Sequence, residues 1–261
     1  MQDLFSLEGK VSVVTGGNSG IGKGIAEGLA AKGSAIVIAA RNEEKTAAAM
    51  EDIAGKYGVR VSGVTIDVID PESIKAGMAK VVDEIGRIDV LVNNAGLNIR
   101  MVPQDYAVEE WDQIMDTNLR GAFLCCQAAY PAMKKQGRGK IINIGSMTTL
   151  YGFGKAVPYG CSKMGILSLT YSLALAWARD GIYVNCIIPG WIDTPLTVKT
   201  RQEFPALSDF VEGRTPIPRW GQPADFMGIA AFLASQASDF ITGESIRVDG
   251  GFAQHPNTVN Y

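Results

Sequence analysis

The sequence predicts a doubly wound α/β fold, with seven parallel strands and helices on both faces of the sheet. Two observations carry this. Short runs rich in Val and Ile alternate with helical patterns of roughly 10–15 residues, and strands separated in this way pair in parallel. The first run passes through a glycine-rich loop into the first helix, which is the setting of a phosphate-binding turn. The 261 residues, 47% of them hydrophobic, suffice for one large domain and argue against disorder. A single domain over 1–261 is expected, with an irregular lid at 191–219 and a polar tail at 254–261.

The first strand covers 11–15 and ends at Gly16. The text Thr15-Gly16-Gly17-Asn18-Ser19-Gly20-Ile21-Gly22 follows, then a helical pattern through 31. Gly16 permits a tight turn, Gly20 lets the backbone approach a pyrophosphate, and Gly22 lets helix and strand pack closely. The helix start offers free N–H groups to phosphates. The bland alternative is a glycine turn with no ligand.

A second strand, 34–40, is expected to end in an acid that binds the ribose 2′-OH of NAD. That place holds Ala40, and Arg41 follows. A missing carboxylate beside a guanidinium suits the 2′-phosphate of NADP. The alternative is a solvated arginine, since Glu43 and Glu44 share the loop; NAD then remains the cofactor.

A surface helix is expected at 43–57, a third strand at 61–66 and a helix at 71–85. Asp67, at the end of that strand, either holds the adenine amino group or caps a helix. A fourth strand, 88–92, delivers Asn93-Asn94-Ala95-Gly96. Both asparagines suit bracing of the loop by side-chain hydrogen bonds. The helix at 109–133 carries an apolar stripe of Trp111, Ile114, Met115, Leu119 and Phe123. Asn118 is a poor helix former within it, and is either solvent-facing or functional. A fifth strand, 141–144, delivers Ser146.

The next helix, 157–178, opens with Tyr159-Gly160-Cys161-Ser162-Lys163. Residues four apart lie on one helix face, so Tyr159 and Lys163 point the same way. A phenol of pKa ~10 is a poor acid or base near neutrality. An ammonium close by favours the phenolate and lowers that value. The pair reads as a tuned general acid/base.

A sixth strand, 183–188, ends at Pro189-Gly190. Residues 191–219 lack periodicity and carry Pro195, Pro205, Pro216 and Pro218; such stretches in a compact domain are usually functional lids. A helix at 223–235 and a strand at 245–249 complete the sheet. Arg201, Arg214 or Arg219 in the lid either meet a substrate carboxylate or are structural. Met147, Phe153 and Trp191 suit an apolar or alicyclic ketone.

Composition excludes several classes. Net charge is −3 with no dense basic run, so no nucleic-acid partner is expected. No apolar run approaches the roughly 20 residues of a membrane span. The first ten residues lack the basic and apolar regions of a secretory signal. Cys125, Cys126, Cys161 and Cys186 show neither a C-x-x-C spacing nor a secreted framework, and read as reduced thiols in a cytoplasm. The only histidine is His255, near the end, which disfavours a His-based triad or metal site; no metal is expected.

Together these residues resemble the short-chain dehydrogenase/reductase family, from about 7 to 252. The resemblance rests on T-G-x-x-x-G-I-G at 15–22, N-N-A-G at 93–96, Ser146, Y-x-x-x-K at 159–163, P-G at 189–190, and Asn118 as the helix asparagine. It implies a Rossmann-type sheet and hydride transfer between NADP(H) and a ketone or secondary alcohol. Tyr159 then exchanges the proton, and Ser146 hydrogen-bonds the carbonyl oxygen. Lys163 lowers the Tyr159 pKa and binds the nicotinamide ribose, while Asn118 holds a water linking Lys163 to solvent. Pro189, Gly190, Ile192 and Thr194 flank the nicotinamide. The implied cofactor set also includes Gly16, Asn18, Ser19, Gly20, Ile21, Gly22, Arg41, Asn42, Asp67, Val68, Asn94, Ala95 and Gly96.

The family's enoyl reductases use a longer Tyr-to-Lys spacing, so C=C reduction is disfavoured. Ser146-Met147 and Arg219-Trp220-Gly221 are similar to the 2-deoxygluconate 3-dehydrogenases and gluconate 5-dehydrogenases within the sugar-acid and oxoacyl reductase branch. A homotetramer is implied, because helices 109–133 and 157–178 are apolar on more than one face and must be covered. Two other readings stand beside this one. One is an NAD-dependent polyol or sugar-acid dehydrogenase. The other is a non-catalytic dinucleotide-binding regulator, for which a proton donor would be superfluous.

Overall fold

Alternate residues of the central strands feed apolar clusters on the two faces of the sheet, which is why those strands read as continuous apolar runs. In the computed structural model, which describes residues 3–254, seven strands form one parallel sheet. They are β1 (Val11–Thr15), β2 (Ala35–Ala39), β3 (Val61–Val64), β4 (Val90–Asn93), β5 (Gly139–Ile144), β6 (Ile182–Pro189) and β7 (Ser245–Val248). Their order is β3-β2-β1-β4-β5-β6-β7. Ile36 and Ile38 of β2 join one core, with α1 (Gly20–Ala30), α2 (Glu43–Tyr57) and α9 (Met227–Ala234). Val37 and Ala39 join the other, with α3 (Pro71–Ile85), α5 (Gly121–Gln136) and α6 (Val157–Trp177).

Where capping chemistry is local, the expected bounds hold to the residue. Asn42 accepts from the Lys45 N–H at 2.8 Å and starts α2; Gly58, at φ +66°, ends it. Asp70 accepts from Glu72 N–H at 2.9 Å, Pro71 opens α3, and Gly86 closes it at φ +88°.

Three expectations are corrected. The single helix at 109–133 is α4 (Val108–Met115) and α5 joined by a π-turn at Asp116–Arg120. Asn118 lies in that turn, and its side chain bonds to other elements, as described below. The irregular lid at 191–219 contains two short helices, α7 (Pro195–Glu203) and α8 (Leu207–Arg214). Pro195 is their entry rather than a breaker, because a missing N–H costs nothing at a first helical position. The helix at 223–235 begins as a 3₁₀ turn, Pro223–Phe226, before α9. Apart from Gln254, the tail at 254–261, with His255, lies outside the described residues. None of the described helices is long and apolar enough to cross a membrane.

The strand order reverses direction between β1 and β4. At such a switch point the loops leaving the two carboxyl ends turn apart and open a crevice. β1, β4, β5 and β6 all point their carboxyl ends there.

Candidate active site

The crevice is a cleft of about 320 Å³. The loop after β1 forms one wall. Gly16 takes φ +63°, which only glycine adopts without strain. A side chain on Gly22 would fall on the Asn94 amide and on the Gly16 carbonyl. That amide donates to the carbonyls of Thr15 at 3.0 Å and Gly16 at 3.2 Å. Thr15 Oγ1 in turn accepts from the backbone N–H groups of Asn94 and Ala95, each at 3.0 Å. Asn94 thus braces the loop as expected. Asn93 does not: it turns into the core, donating to Asn143 Oδ1 at 2.8 Å. Ser19 precedes α1 without capping it, so the first N–H groups of that helix are left for an anion.

Of the expected cofactor residues, Gly16, Asn18, Ser19, Gly20, Ile21, Asn94, Ala95, Gly96, Tyr159, Lys163, Pro189, Gly190, Ile192 and Thr194 line the cleft. So do the expected substrate residues Ser146, Met147, Phe153 and Trp191. Gly22 packs just behind. Arg41, Asn42, Asp67 and Val68 lie off the cleft, beyond the carboxyl ends of β2 and β3. Arg41 is exposed and sits 3.7 Å from Asp67. Asn42 is occupied as the cap of α2, and Val68 is buried.

The reacting end lies where β5 meets α6. Lys163 is 5% exposed, and its Nζ donates to the Ile144 carbonyl at 2.8 Å. Burial depresses its pKa to about 8, opposed by Cys186. The same Nζ lies 5.6 Å from the centre of the Tyr159 ring. The helix spacing therefore brings the two together, but the expected depression of the phenol is overturned. Burial raises the Tyr159 pKa, and this outweighs the hydrogen bond from Ser146 and the positive charge of Arg100, which lower it. Ser146 reaches the phenol because it caps a 3₁₀ turn, accepting from Thr148 N–H at 3.2 Å.

Asn118 is 1% exposed. Its Oδ1 accepts from Leu97 N–H at 2.8 Å, and its Nδ2 donates to Leu97 O at 2.9 Å and Ser162 Oγ at 3.0 Å. The side chain is spent on holding the loop after β4 against α6. A Cβ on Gly96 would press on Asn118 Oδ1 at 3.1 Å, so the glycine lets this loop lie close to the asparagine.

The lid arginines do not line the cleft. Arg201 pairs with Asp193 and lies 4.7 Å over the Trp220 ring. Arg219 forks onto Asp225 at 2.7 and 2.9 Å. Arg214 lies 4.9 Å over Phe252. The arginine that does line the cleft is Arg100, which sequence reasoning missed. Its one signal is its place four residues after Gly96; nothing local separates it from a solvated loop arginine.

A buried ammonium has a measurable cost. The folded pKa of Lys163, about 8, lies below its ordinary 10.5, so the fold disfavours the charged form. At about 1.4 kcal/mol per unit, Lys163→Met should stabilise the ligand-free protein at pH 7 by up to roughly 3 kcal/mol. The gain should fade as pH rises from about 8 towards 10.5, where the unfolded lysine also loses its proton. Urea melts of parent and variant across this range test it; a variant less stable than the parent at neutral pH refutes it.

A family model described as enoyl-(acyl carrier protein) reductase matches residues 16–253. Gluconate 5-dehydrogenase of Gluconobacter oxydans (strain 621H) is 37% identical over 251 residues, covering 95% of this chain and 96% of that protein. 2-Dehydro-3-deoxy-D-gluconate 5-dehydrogenase of Bacillus subtilis (strain 168) is 40% identical over 253 residues, covering 97% and 98%. Among solved structures, a gluconate 5-dehydrogenase from Burkholderia cenocepacia J2315 in complex with NADP and tartrate superposes with a TM-score of 0.93. It is 37% identical and is covered to 99%, with 97% of this chain matched. The description of the family model names C=C reduction, whereas the full-length relatives are named as dehydrogenases, in keeping with the Tyr159–Lys163 spacing. On this extent of likeness the chain belongs to the short-chain dehydrogenase/reductase family.

Proposed function

We propose that the protein is an NADP(H)-dependent oxidoreductase that interconverts a ketone and a secondary alcohol. The observation that carries this is the meeting of Tyr159, Ser146 and Lys163 at one end of a cleft whose other end is the glycine loop. The bound nicotinamide would supply or accept the hydride. The chain does the rest. Tyr159 gives its phenolic proton to the carbonyl oxygen in reduction and takes it back in oxidation. Ser146 donates a hydrogen bond to that oxygen. Lys163 holds a positive charge beside the phenol and, freed from Ile144, is placed for the cofactor's ribose. Asn118 fixes the loop and helix between which these groups sit. The chain acts as one cofactor-binding and catalytic unit, with 191–219 covering the substrate. Its four unpaired cysteines suit the reducing cytoplasm.

Tyr159→Phe keeps the ring and loses the proton. It should leave cofactor binding largely intact and lower turnover by about 10²–10⁴-fold. Turnover within a few-fold of the parent would show that another group supplies the proton.

The preference for NADP rests on Ala40 and Arg41, and on the NADP held by the Burkholderia relative. Arg41 is 71% exposed, and its pair with Asp67 is of the exposed kind that contributes little, so it is available to a 2′-phosphate. Arg41→Asp removes that attraction and adds a repulsion. A charge-assisted contact is worth about 1.5–3 kcal/mol, so KM for NADPH should rise about ten- to a hundredfold and that for NADH far less. Steady-state constants for both cofactors decide it; a parent that prefers NADH puts the NAD-dependent polyol or sugar-acid dehydrogenase ahead.

We also propose a homotetramer. Val108, Trp111 and Phe123 on α4 and α5 are exposed, as are Met164, Tyr171 and Leu175 on α6. Leu175 is 86% exposed, and apolar helix faces of this kind call for a partner. Light scattering at micromolar concentration should give four times the 27.8 kDa chain mass, and a monomer mass would remove the idea.

A further inference from the structure

We infer that Arg100 is the anion anchor of the cleft, and that the substrate is an oxo or hydroxy acid whose carboxylate it binds. This rests on the oxidoreductase reading and narrows it to a substrate class.

The backbone on both sides of Arg100 is fixed. The Ile99 carbonyl accepts from the Tyr106 hydroxyl at 2.6 Å, and the Met101 N–H donates to the Lys155 carbonyl at 3.1 Å. Asn118 ties down Leu97 just upstream. The side chain is held as well. Its guanidinium carbon lies 5.9 Å from the centres of both the Phe153 and Trp191 rings. Trp191 is itself wedged edge-on against Phe153 at 6.3 Å and Trp220 at 5.7 Å. A cation on such an aromatic shelf is directed and stripped of part of its water.

Half-buried in this way, Arg100 has no hydrogen-bond acceptor or ion-pair partner among the described residues. Its surroundings bear that out electrically. Loss of solvent lowers its pKa, and the groups that oppose this through space are Tyr159 and Glu203. The other three arginines considered for a carboxylate are engaged with Asp193, Asp225 or an aromatic ring away from the cleft. Arg100 is therefore the guanidinium that faces both open cleft and proton donor. A planar fork of N–H donors without an acceptor matches a carboxylate in two parallel hydrogen bonds. The aromatic shelf beneath it explains why Phe153 and Trp191 line a site for a polar molecule: they position the cation.

The test uses the whole protein with NADPH and matched pairs of ketones: levulinate with methyl levulinate, and acetoacetate with methyl acetoacetate. The parent should favour each acid over its ester. Arg100→Gln should cut kcat/KM for the acids about ten- to a hundredfold more than for the esters, and Arg100→Lys should recover part of the difference. Calorimetry with tartrate and gluconate, on protein saturated with NADP, gives a second readout that needs no turnover. The parent should bind, and Arg100→Gln should bind about tenfold or more weakly. If no ketone of either kind is reduced, the oxidoreductase reading fails, and calorimetry still judges the anchor. A parent that ignores the charge of its substrate, or a glutamine variant that binds these acids as the parent does, overturns the proposal and leaves Arg100 as a brace for the lid.

Discussion

Lys163 carries its positive charge out of water and keeps it beside the reacting phenol with one hydrogen bond from its own protein, to Ile144. Much of the surrounding structure exists to hold that arrangement. Ile144 ends β5, which is paired on both sides, so the accepting carbonyl cannot drift. α6, which carries the lysine, is tied to the loop after β4 through Ser162 and Asn118. It is tied again to β5, where Asn143 Nδ2 donates to Thr170 Oγ1 at 2.9 Å. Buried polar groups of this sort are strong when all are satisfied and costly when one is lost, which makes the assembly cooperative.

The parallel sheet makes that economy possible. All its strands end on one side, so loops far apart in the chain share one crevice. A line of buried polar side chains then fixes their mutual register. Asn93 of β4 donates to Asn143 of β5, and Asn143 donates to Thr170 of α6. Thr15 of β1 reaches the β4 loop through its hydroxyl. The position of the glycine loop and that of the lysine are therefore set by the same strands. A change in the core is felt at the cleft without touching a residue that lines it.

What was legible in the sequence is what local chemistry dictates. The glycine loop, the caps of α2 and α3, and the one-turn spacing of Tyr159 and Lys163 each depend on a few adjacent residues. Less legible was whatever depends on partners distant in sequence. Asn118 stands out as a poor helix former, yet only the fold shows that its amide is shared between Leu97 and Ser162, and that the helix opens into a π-turn around it. The short lid helices have no continuous apolar stripe, and their prolines suggest loop until one is seen at a first helical position. The sign of the Tyr159 shift was missed for a related reason. Spacing places a cation near the phenol, but the extent of burial, which here decides the balance, is a property of the folded cleft.

That sign bears on how the site works. A phenol with a raised pKa is protonated at neutral pH, which is the form needed to donate to a carbonyl oxygen. Giving up the proton creates a phenolate in a place with little water to solvate it. Two cations are already there. Lys163 stands 5.6 Å from the ring centre, and Arg100 pulls on the phenol from the opposite loop. Ser146 adds a hydrogen bond to the same oxygen. These groups gain little from the neutral phenol and much more from the anion, so their effect grows as the proton leaves. Charge fixed in advance where charge will develop lowers the barrier without reorganising anything during the reaction. Burial keeps the proton on Tyr159 until a carbonyl oxygen is there to take it, and the two fixed cations stabilise what remains.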